Sequence, residues 1–101
     1  MNHASREQRK RRIRAKIRGT AERPRASVFR SNTRLTVQLI DDVASRTLIS
    51  ASGAPDTVGS TIGEAAKKLG VDKIVFDRGG YRYHGRVKAV AEAMRASGLK
   101  F

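Results

Sequence analysis

The chain has 101 residues, of which 22 are Lys or Arg and 9 are Asp or Glu, so its formal net charge at pH 7 is +13. This length fits one compact domain, and the absence of cysteine excludes disulfides, thiolate zinc sites and cysteine nucleophiles. No apolar run approaches the ~18 residues of a membrane span, and the basic N-terminus lacks the apolar stretch of a secretory signal. The excess of positive charge predicts a polyanionic partner, most commonly nucleic acid, and the lack of an apolar span predicts no membrane partner.

Much of the positive charge lies at the N-terminus. The first 25 residues contain ten of the basic residues and only two acidic ones. Apart from Met1, their sizeable apolar side chains are Ile13 and Ile17, too few to offset the entropy of ordering the segment. These two lie four residues apart, so a short helix can form once phosphates neutralise the arginines. We therefore predict a basic, flexible arm over residues 1–23 that binds polyanions; the alternative for Arg9–Arg12 is a solvated charge run or a localisation signal.

The body, residues 24–101, begins with three predicted strands. Pro24 pushes the residue before it towards extended geometry, and a strand follows over Ala26–Arg30. Arg34–Asp41 alternates between apolar and polar residues, which is typical of a half-buried strand, and Arg46–Ser52 is a third. The short polar turns between them predict an antiparallel meander.

A helix is predicted after the third strand. It begins at a cap at Asp56 or Thr57, continues to about Leu69 and is ended by Gly70. Two glycines inside it each cost up to ~1 kcal/mol relative to Ala, so this helix depends on packing. Its predicted apolar stripe consists of Val58, Ile62, Ala65, Ala66 and Leu69.

The rest of the chain predicts one more strand and a second helix. Val71–Asp77 has apolar side chains on both faces, which predicts a central strand covered on both sides. The second helix extends from about Gly85 to Ser97, and we expect Leu99 and Phe101 to fold back on the body. The order β-β-β-α-β-α predicts an α/β fold: a mixed sheet of a three-stranded antiparallel meander plus a further central strand, with one parallel pair, two helices and the basic N-terminal arm. The residues that the second helix is predicted to bury are Val87, Val90, Ala91 and Met94.

The segment before the last helix, residues 76–87, has the residues best suited to RNA. Ligands tend to bind at the carboxyl end of a strand in an α/β sheet. The pair Gly79-Gly80 lets a partner approach the backbone, and the start of the helix offers N–H groups to phosphate. Three arginines spaced by four provide charge, and the only two tyrosines of the chain can stack on bases or ribose. These residues are Arg78, Arg82, Arg86, Tyr81 and Tyr83.

Each of these residues also has a structural interpretation. Either tyrosine can cover the sheet edge, His84 can fix the turn by hydrogen bonding, and Asp77 can hold the loop by accepting backbone or arginine hydrogen bonds. No enzyme is predicted, because Asp77 and His84 alone do not form a metal-dependent nuclease site. The two histidines lack metal-ligand spacing, and no phosphate-cradling or nucleophile-elbow motif occurs. We expect no metal, no cofactor and no small-molecule substrate; the competing hypotheses are a DNA-binding nucleoid protein and a magnesium-dependent nuclease.

Three stretches resemble the bacterial-type large-subunit ribosomal protein eighteen family, whose members bind 5S rRNA. Residues 23–25 (RPR) and 27–32 (SVFRSN) resemble the family's first strand and turn. Gln38 with residues 40–42 (IDD) resembles its second strand. Residues 76–87 (FDRGGYRYHGRV) through 98–101 (GLKF) resemble its long C-terminal signature, which is highly specific.

The resemblance implies a ribonuclease-H-like fold of the translational-machinery type without catalytic acids, and an arm that orders on RNA. It implies a structural constituent of the large ribosomal subunit that binds 5S rRNA and helps attach it to the large rRNA in the central protuberance, beside neighbouring ribosomal proteins. The ribosome is then cytoplasmic, with an organelle ribosome as the alternative. Carried over by position, the RNA-binding residues are Arg9, Lys10, Arg11, Arg12, Arg14, Lys16 and Arg18 in the arm, Arg25, Arg30, Ser31, Asn32 and Arg34 around the first turn, and Arg78, Tyr81, Arg82, Tyr83, His84 and Arg86 in the loop.

The chain departs from the family between Ser52 and Gly59. Family members usually have a longer helical insertion there, rich in Lys and Glu, and this chain has only six residues (GAPDTV). We therefore expect the first helix to be trimmed. Ala26 stands where the family favours a larger aliphatic residue, which predicts slightly looser packing of the sheet.

Overall fold

A computed structural model describes residues 7–9, 11–12, 18–31 and 34–101 of the chain. Within the arm, residues 7–9 and 11–12 are helical. Several residues of the sequence predictions lie outside the described residues, namely Lys10, Ile13, Arg14, Lys16, Ile17 and Asn32.

The four strands of the body form one mixed sheet. They are β1 (Arg25–Arg30), β2 (Leu35–Asp41), β3 (Arg46–Gly53) and β4 (Val75–Asp77), in the spatial order β3-β2-β1-β4. β1 and β3 both pair antiparallel with β2, whereas β4 pairs parallel with β1. The predicted meander and the predicted parallel pair are both confirmed.

The alternation of residue types along β2 decides which face of the sheet is buried. Leu35, Val37 and Leu39 are fully buried, whereas Thr36 and Gln38 between them are only half-buried. Successive side chains of a strand point to opposite faces, so the apolar set forms the core and the polar set lies on the other face. A shift by one residue would exchange the two sets, so this pattern specifies the register of the strands.

Two helices pack against each other over the apolar face. α1 spans Pro55–Lys68 and α2 spans Arg86–Ala96. A Cβ atom on Gly59 would collide with Ala93 of α2, so this glycine allows the two helices to approach closely. The sequence predicted that α1, with two glycines inside it, depends on packing, and this contact with α2 is such packing. The residues buried by the helices are Val58, Gly59, Ile62, Gly63 and Ala66 of α1 and Val87, Val90, Ala91 and Met94 of α2.

The ends of α1 differ from the prediction. Its N-cap is Ala54, and Pro55 begins the helix, where the missing N–H of proline is tolerated because that group has no partner in the helix. Asp56 and Thr57 therefore do not cap the helix; the carboxylate of Asp56 accepts a hydrogen bond from the Thr57 N–H at 2.9 Å. Leu69, predicted for the buried stripe, is 55% exposed because it follows the last turn.

The prediction of a central strand over Val71–Asp77 was wrong. β4 has only three residues and lies at the edge of the sheet, and its first two residues are half-buried rather than covered on both faces. The C-terminal tail, as expected, folds back beside it. The Lys100 N–H donates to the Asp72 carbonyl at 2.8 Å, and the Phe101 ring stacks on Phe76 with 5.4 Å between ring centroids. The apolar side chains of this run thus pack partly against the tail instead of a further strand.

Candidate nucleic-acid interface

The end of the sheet where β1 and β4 finish brings the predicted RNA-binding segments together. In the parallel pair, Ser27 lies opposite Asp77, the last residue of β4. β1 continues from there to Arg30, which pairs with Leu35 at the start of β2. The β1–β2 turn, the loop over residues 78–85 and the start of α2 therefore share one end of the molecule.

The loop leaves β4 through a turn that requires glycine. Gly79 and Gly80 have φ angles of 66° and 79°, a region that strains residues with a Cβ atom. A Cβ atom on Gly79 would also collide with the carbonyl oxygen of Val28. The fully buried Asp77 accepts a hydrogen bond from the Gly79 N–H at 2.9 Å. The prediction that Asp77 holds the loop is confirmed.

Tyr81 attaches this loop to the end of β1. Its hydroxyl accepts a hydrogen bond from the Arg30 N–H at 3.0 Å and donates one to the Arg30 carbonyl at 3.1 Å. The guanidinium carbon of Arg30 lies 5.2 Å from the centroid of the Tyr81 ring, within the range of a cation–π contact. The ring also packs against the hydrophobic core. These contacts give Tyr81 a structural part other than the predicted covering of the sheet edge, because they hold the loop in place.

Two shallow concavities, of about 440 and 360 Å³, meet at Arg30. Among the described residues, no carboxylate lines either of them. Within the described part of the chain, no ion pair involves Arg30, Arg82 or Arg86. The positive charge of these three arginines is therefore available to a partner. We call this set of residues the Arg30 surface; it consists of Arg9, Arg30, Ser31, Tyr81, Arg82, His84, Gly85 and Arg86.

The β1–β2 turn contributes to the same end of the molecule through Ser31 and Arg34. The Ser31 hydroxyl lies 3.1 Å from the Arg34 N–H and 3.2 Å from its carbonyl oxygen, and the Ser31 N–H donates to that carbonyl at 2.8 Å. Ser31 therefore closes the turn, and Arg34 lies exposed at the end of it.

The arm reaches the loop through Arg9. Its Nε atom donates a hydrogen bond to the Gly80 carbonyl at 2.8 Å, which brings this arm residue to the Arg30 surface. The other predicted arm contacts that the structure describes are exposed and line neither concavity; they are Arg11, Arg12 and Arg18.

Arg25 differs from the other predicted contacts, because it is only 8% exposed. Its guanidinium forms ion pairs with Asp42 at 2.9 Å and with Asp77 at 2.8 Å. The hydrogen bond with Asp42 raises the pKa of Arg25, and the same bond lowers the pKa of Asp42 from 3.8 to about 2. Arg25 is thus a buried ion-pair residue, and its side chain has little surface to offer the RNA contact predicted for it. The sequence did not reveal these partners because they lie 17 and 52 residues away along the chain.

Tyr83 lies along the edge of the sheet. Its ring meets Phe76 edge-on with 6.1 Å between centroids, and its hydroxyl accepts a hydrogen bond from Arg95 Nη1 at 3.2 Å. Tyr83 thus covers β4, although 42% of its surface remains exposed. Arg78 is half-buried, and His84 is exposed, with its backbone N–H bonded to the carbonyl of Arg82 at 2.8 Å.

The whole chain, residues 1–101, matches the family described as ribosomal L18 of archaea, bacteria, mitochondria and chloroplast. The chain belongs to this family. The large ribosomal subunit protein uL18 of Lactobacillus delbrueckii subsp. bulgaricus is 56% identical over 106 residues, covering 92% of this chain and 89% of that protein. The proteins of the same name from Lactococcus lactis subsp. lactis and subsp. cremoris are each 53% identical over 105 residues, covering 95% of this chain and 91% of theirs.

As a member of the ribosomal L18 family, the chain is a structural ribosomal protein and not an enzyme. Among the residues that the structure describes, no three His, Cys, Asp or Glu side chains are grouped so that they could hold a metal ion. In the same residues, no helix has the length and apolar character needed to cross a membrane.

The alignments also bear on the short link between β3 and α1. They extend over 105 and 106 residues, more than the 101 residues of this chain, so these relatives contain residues that it lacks. In the structure, Ala54 alone joins Gly53 at the end of β3 to Pro55 at the start of α1. The location of the missing residues between Ser52 and Gly59 stays a prediction.

Proposed function

We propose that this chain binds 5S rRNA in the large ribosomal subunit and helps attach it to the large rRNA in the central protuberance, beside neighbouring ribosomal proteins. The observation that carries the proposal is the Arg30 surface, where cations of the end of β1, the loop and the start of α2 meet and no described carboxylate lines the concavities. The relatives named as large ribosomal subunit proteins support the ribosomal setting. The loop motif over residues 76–87 supports 5S rRNA as the partner.

The Arg30 surface suits the phosphate oxygens of a folded RNA. Arg30 ends β1, Arg82 lies in the loop and Arg86 begins α2, so three different elements hold these cations in place. Guanidinium groups bind phosphate through paired N–H donors, and the backbone N–H groups at the start of a helix also attract anions. Proteins recognise structured RNA mainly through its shape and its backbone, so cations held at defined positions add selectivity that a loose run of charge lacks.

The predicted contacts take different parts in this proposal. Tyr81 and Tyr83 hold the loop, and only the exposed parts of their rings are available to bases. Arg25 is not proposed to touch RNA, because it is buried and paired with carboxylates. The residues proposed to contact phosphate or sugar are Arg9, Lys10, Arg11, Arg12, Arg14, Lys16, Arg18, Arg30, Ser31, Asn32, Arg34, Arg78, Arg82, His84 and Arg86.

The test compares two double variants that remove the same charge. Arg30→Ala/Arg86→Ala removes two cations of the Arg30 surface, whereas Lys67→Ala/Lys68→Ala removes two exposed cations from the last turn of α1. α1 starts near the Arg30 end of the sheet and has 14 residues, so its last turn lies about 20 Å away. Binding of each variant to 5S rRNA is measured over a range of salt concentrations.

For a chain that neutralises about eight phosphates, log affinity should fall against log salt with a slope of roughly −6 to −7. We expect Arg30→Ala/Arg86→Ala to lose roughly 10- to 100-fold in affinity. The salt slope should flatten by nearly two, because binding of a variant with two fewer phosphate contacts releases fewer counterions. Lys67→Ala/Lys68→Ala should change neither quantity. Equal effects of the two variants would show that the Arg30 surface is not part of the RNA interface. Equal affinity of the wild type for 5S rRNA and duplex DNA at ~0.2 M salt would instead favour a general DNA binder.

A further inference from the structure

We propose that Arg25 is a positioning residue of the RNA interface. Without touching RNA, it holds the loop between β4 and α2 and the base of the arm in the geometry that binding needs. This inference rests on the proposed function, since it concerns how the same interface is kept in place.

The guanidinium of Arg25 is fixed by three hydrogen bonds. Its Nε and Nη2 donate to Oδ2 and Oδ1 of Asp42, both at 2.9 Å, and its Nη1 donates to Oδ2 of Asp77 at 2.8 Å. Two bonds to one carboxylate fix the plane of the guanidinium, so the third bond fixes the direction of Asp77. A lysine at this position offers only a point charge and does not reproduce this arrangement.

Each carboxylate also binds a backbone N–H in a segment that we propose to bind RNA. Oδ1 of Asp77 accepts the N–H of Gly79 at 2.9 Å, in the first turn of the loop. Oδ2 of Asp42 accepts the N–H of Gly19 at 2.7 Å, at the base of the arm. Arg25 is therefore connected to the arm by hydrogen bonds through Asp42 and to the loop by hydrogen bonds through Asp77.

Breaking the Arg25–Asp77 ion pair has a direct consequence for the loop. Asp77 is fully buried, and a buried carboxylate deprived of its arginine partner is strongly unfavourable. Without this partner Asp77 can turn away, and that movement weakens its bond to the Gly79 N–H. The loop also carries Tyr81, which is bonded to Arg30, so a displaced loop separates the cations of the Arg30 surface.

Removing a negative charge distinguishes a positioning role from a purely electrostatic one, because the two predict opposite changes in RNA affinity. Asp77→Asn removes a negative charge, which by itself tightens the binding of a polyanion. The positioning role predicts the opposite, because the substitution breaks the ion pair that orients the loop. Asp56→Asn is the matched control, since it removes the same charge from an exposed site at the start of α1.

We expect the wild type to bind 5S rRNA, and we expect Asp77→Asn and Arg25→Lys each to bind it roughly tenfold more weakly. The salt slope should stay at the wild-type value in both variants, because no phosphate contact is lost. Asp56→Asn should bind at least as tightly as the wild type. The double variant Arg25→Lys/Asp77→Asn should lose less than the product of the two single effects, because both substitutions break the same ion pair.

Circular dichroism and urea unfolding define the conditions under which each variant is folded, and affinities are compared there. If Asp77→Asn does not fold, Arg25→Lys, which keeps the positive charge, decides the question. A folded Asp77→Asn that binds as tightly as Asp56→Asn, or an Arg25→Lys that binds like the wild type, overturns the positioning role while the proposed function stands. A wild type that does not bind 5S rRNA overturns the proposed function itself.

Discussion

β1 has an arginine at each end, and the two ends differ in what surrounds them. Arg25 begins the strand, is buried and is paired with Asp42 and Asp77. Arg30 ends the strand, is exposed, and lines both concavities of the Arg30 surface. Both were predicted to contact RNA on the same grounds. The structure separates them because carboxylates surround one end of the strand and further arginines surround the other.

This difference shows that a net charge of +13 does not say which cations meet a polyanion. A buried arginine with carboxylate partners contributes to the fold, and removing one partner of such a pair is costly. Exposed cations contribute instead to affinity, which depends strongly on salt. Substitutions near Arg25 should therefore change stability and affinity at an unchanged salt slope, whereas substitutions of the cations around Arg30 should change the salt slope itself.

Gly79 lies in the loop between β4 and α2, which extends from Asp77, the partner of Arg25, to Tyr81, the partner of Arg30. Its substitution should have the largest effect on stability. Alanine at this position is strained twice, because the φ of 66° disfavours a Cβ atom and because that atom would meet the carbonyl of Val28. We expect Gly79→Ala to lower the free energy of unfolding by about 3 kcal/mol, measured by urea unfolding. Binding of 5S rRNA should weaken as well, since the loop leads to Tyr81 and Arg82.

Gly85→Ala is the matched control for this substitution. Its φ is also positive, at 56°, but no atom lies within 4 Å of an added Cβ. We expect it to cost about 2 kcal/mol, from the backbone strain of a φ of 56° combined with a ψ of −123° and without a collision. Equal losses for Gly79→Ala and Gly85→Ala would mean that the loop does not press against β1 as the structure shows.

Asp42 tests the stability of the Arg25 end. Its pKa in the folded chain is about 2, below its ordinary 3.8, mainly because of its hydrogen bond with Arg25. A lowered pKa stabilises the folded chain at neutral pH, and this stabilisation is lost as the pH falls from about 5 towards 2. Since the Asp42 side chain is only 24% exposed, the shift corresponds to about 2 kcal/mol. We expect Asp42→Asn to lower the free energy of unfolding by about that amount at pH 7.

The pH dependence provides the check on this prediction. At about pH 2.5 the wild type and Asp42→Asn should differ less than at pH 7, because the wild-type carboxyl is then partly protonated. Asp56→Asn serves again as the control, because the Asp56 side chain is exposed and bonds only to the neighbouring Thr57. A difference between wild type and Asp42→Asn that stays constant across this pH range would contradict the ion pair with Arg25.

Much of the fold was predictable because local patterns decide local structure. Alternation predicted β2, polar turns separated the first three strands, and Gly70 and Gly98 were predicted beyond the ends of α1 and α2. The position of β4 was not predictable in the same way. Whether a strand is central depends on what pairs with its second edge, and here the tail residue Lys100 lies beside that edge, bonded to the Ile74 N–H at 3.1 Å.

The candidate site was predictable in its segments and less so in the roles of single residues. The sequence pointed to the β1–β2 turn and to residues 78–86, and the structure brings these segments to one end of the sheet. It did not indicate that Asp42 and Asp77 neutralise Arg25, or that the Tyr81 hydroxyl bonds to the backbone of a distant strand. Such contacts depend on tertiary packing between residues far apart in the chain, which spacing along the chain does not report.

The smallest loss of stability is expected when the hydrogen bonds that attach the loop to Arg30 are removed. Tyr81→Phe removes the hydroxyl that bonds to the N–H and carbonyl of Arg30, but keeps the ring beneath the guanidinium. We expect a loss of about 1 kcal/mol in the free energy of unfolding and a few-fold weaker binding of 5S rRNA at an unchanged salt slope. Tyr83→Phe is the control, since its hydroxyl accepts one exposed hydrogen bond from Arg95, and its loss should cost only about 0.3 kcal/mol.

This substitution also distinguishes attachment from base stacking. If Tyr81 served mainly to stack on an RNA base, Tyr81→Phe would bind as tightly as the wild type, because a phenyl ring stacks as well as a phenol. If Tyr81 attaches the loop, removal of the hydroxyl alone is sufficient to weaken binding, because Arg30 and Arg82 are then no longer held at a fixed separation. An unchanged salt slope would show that every phosphate contact persists, so the lost affinity must come from the geometry of the surface and not from its charge.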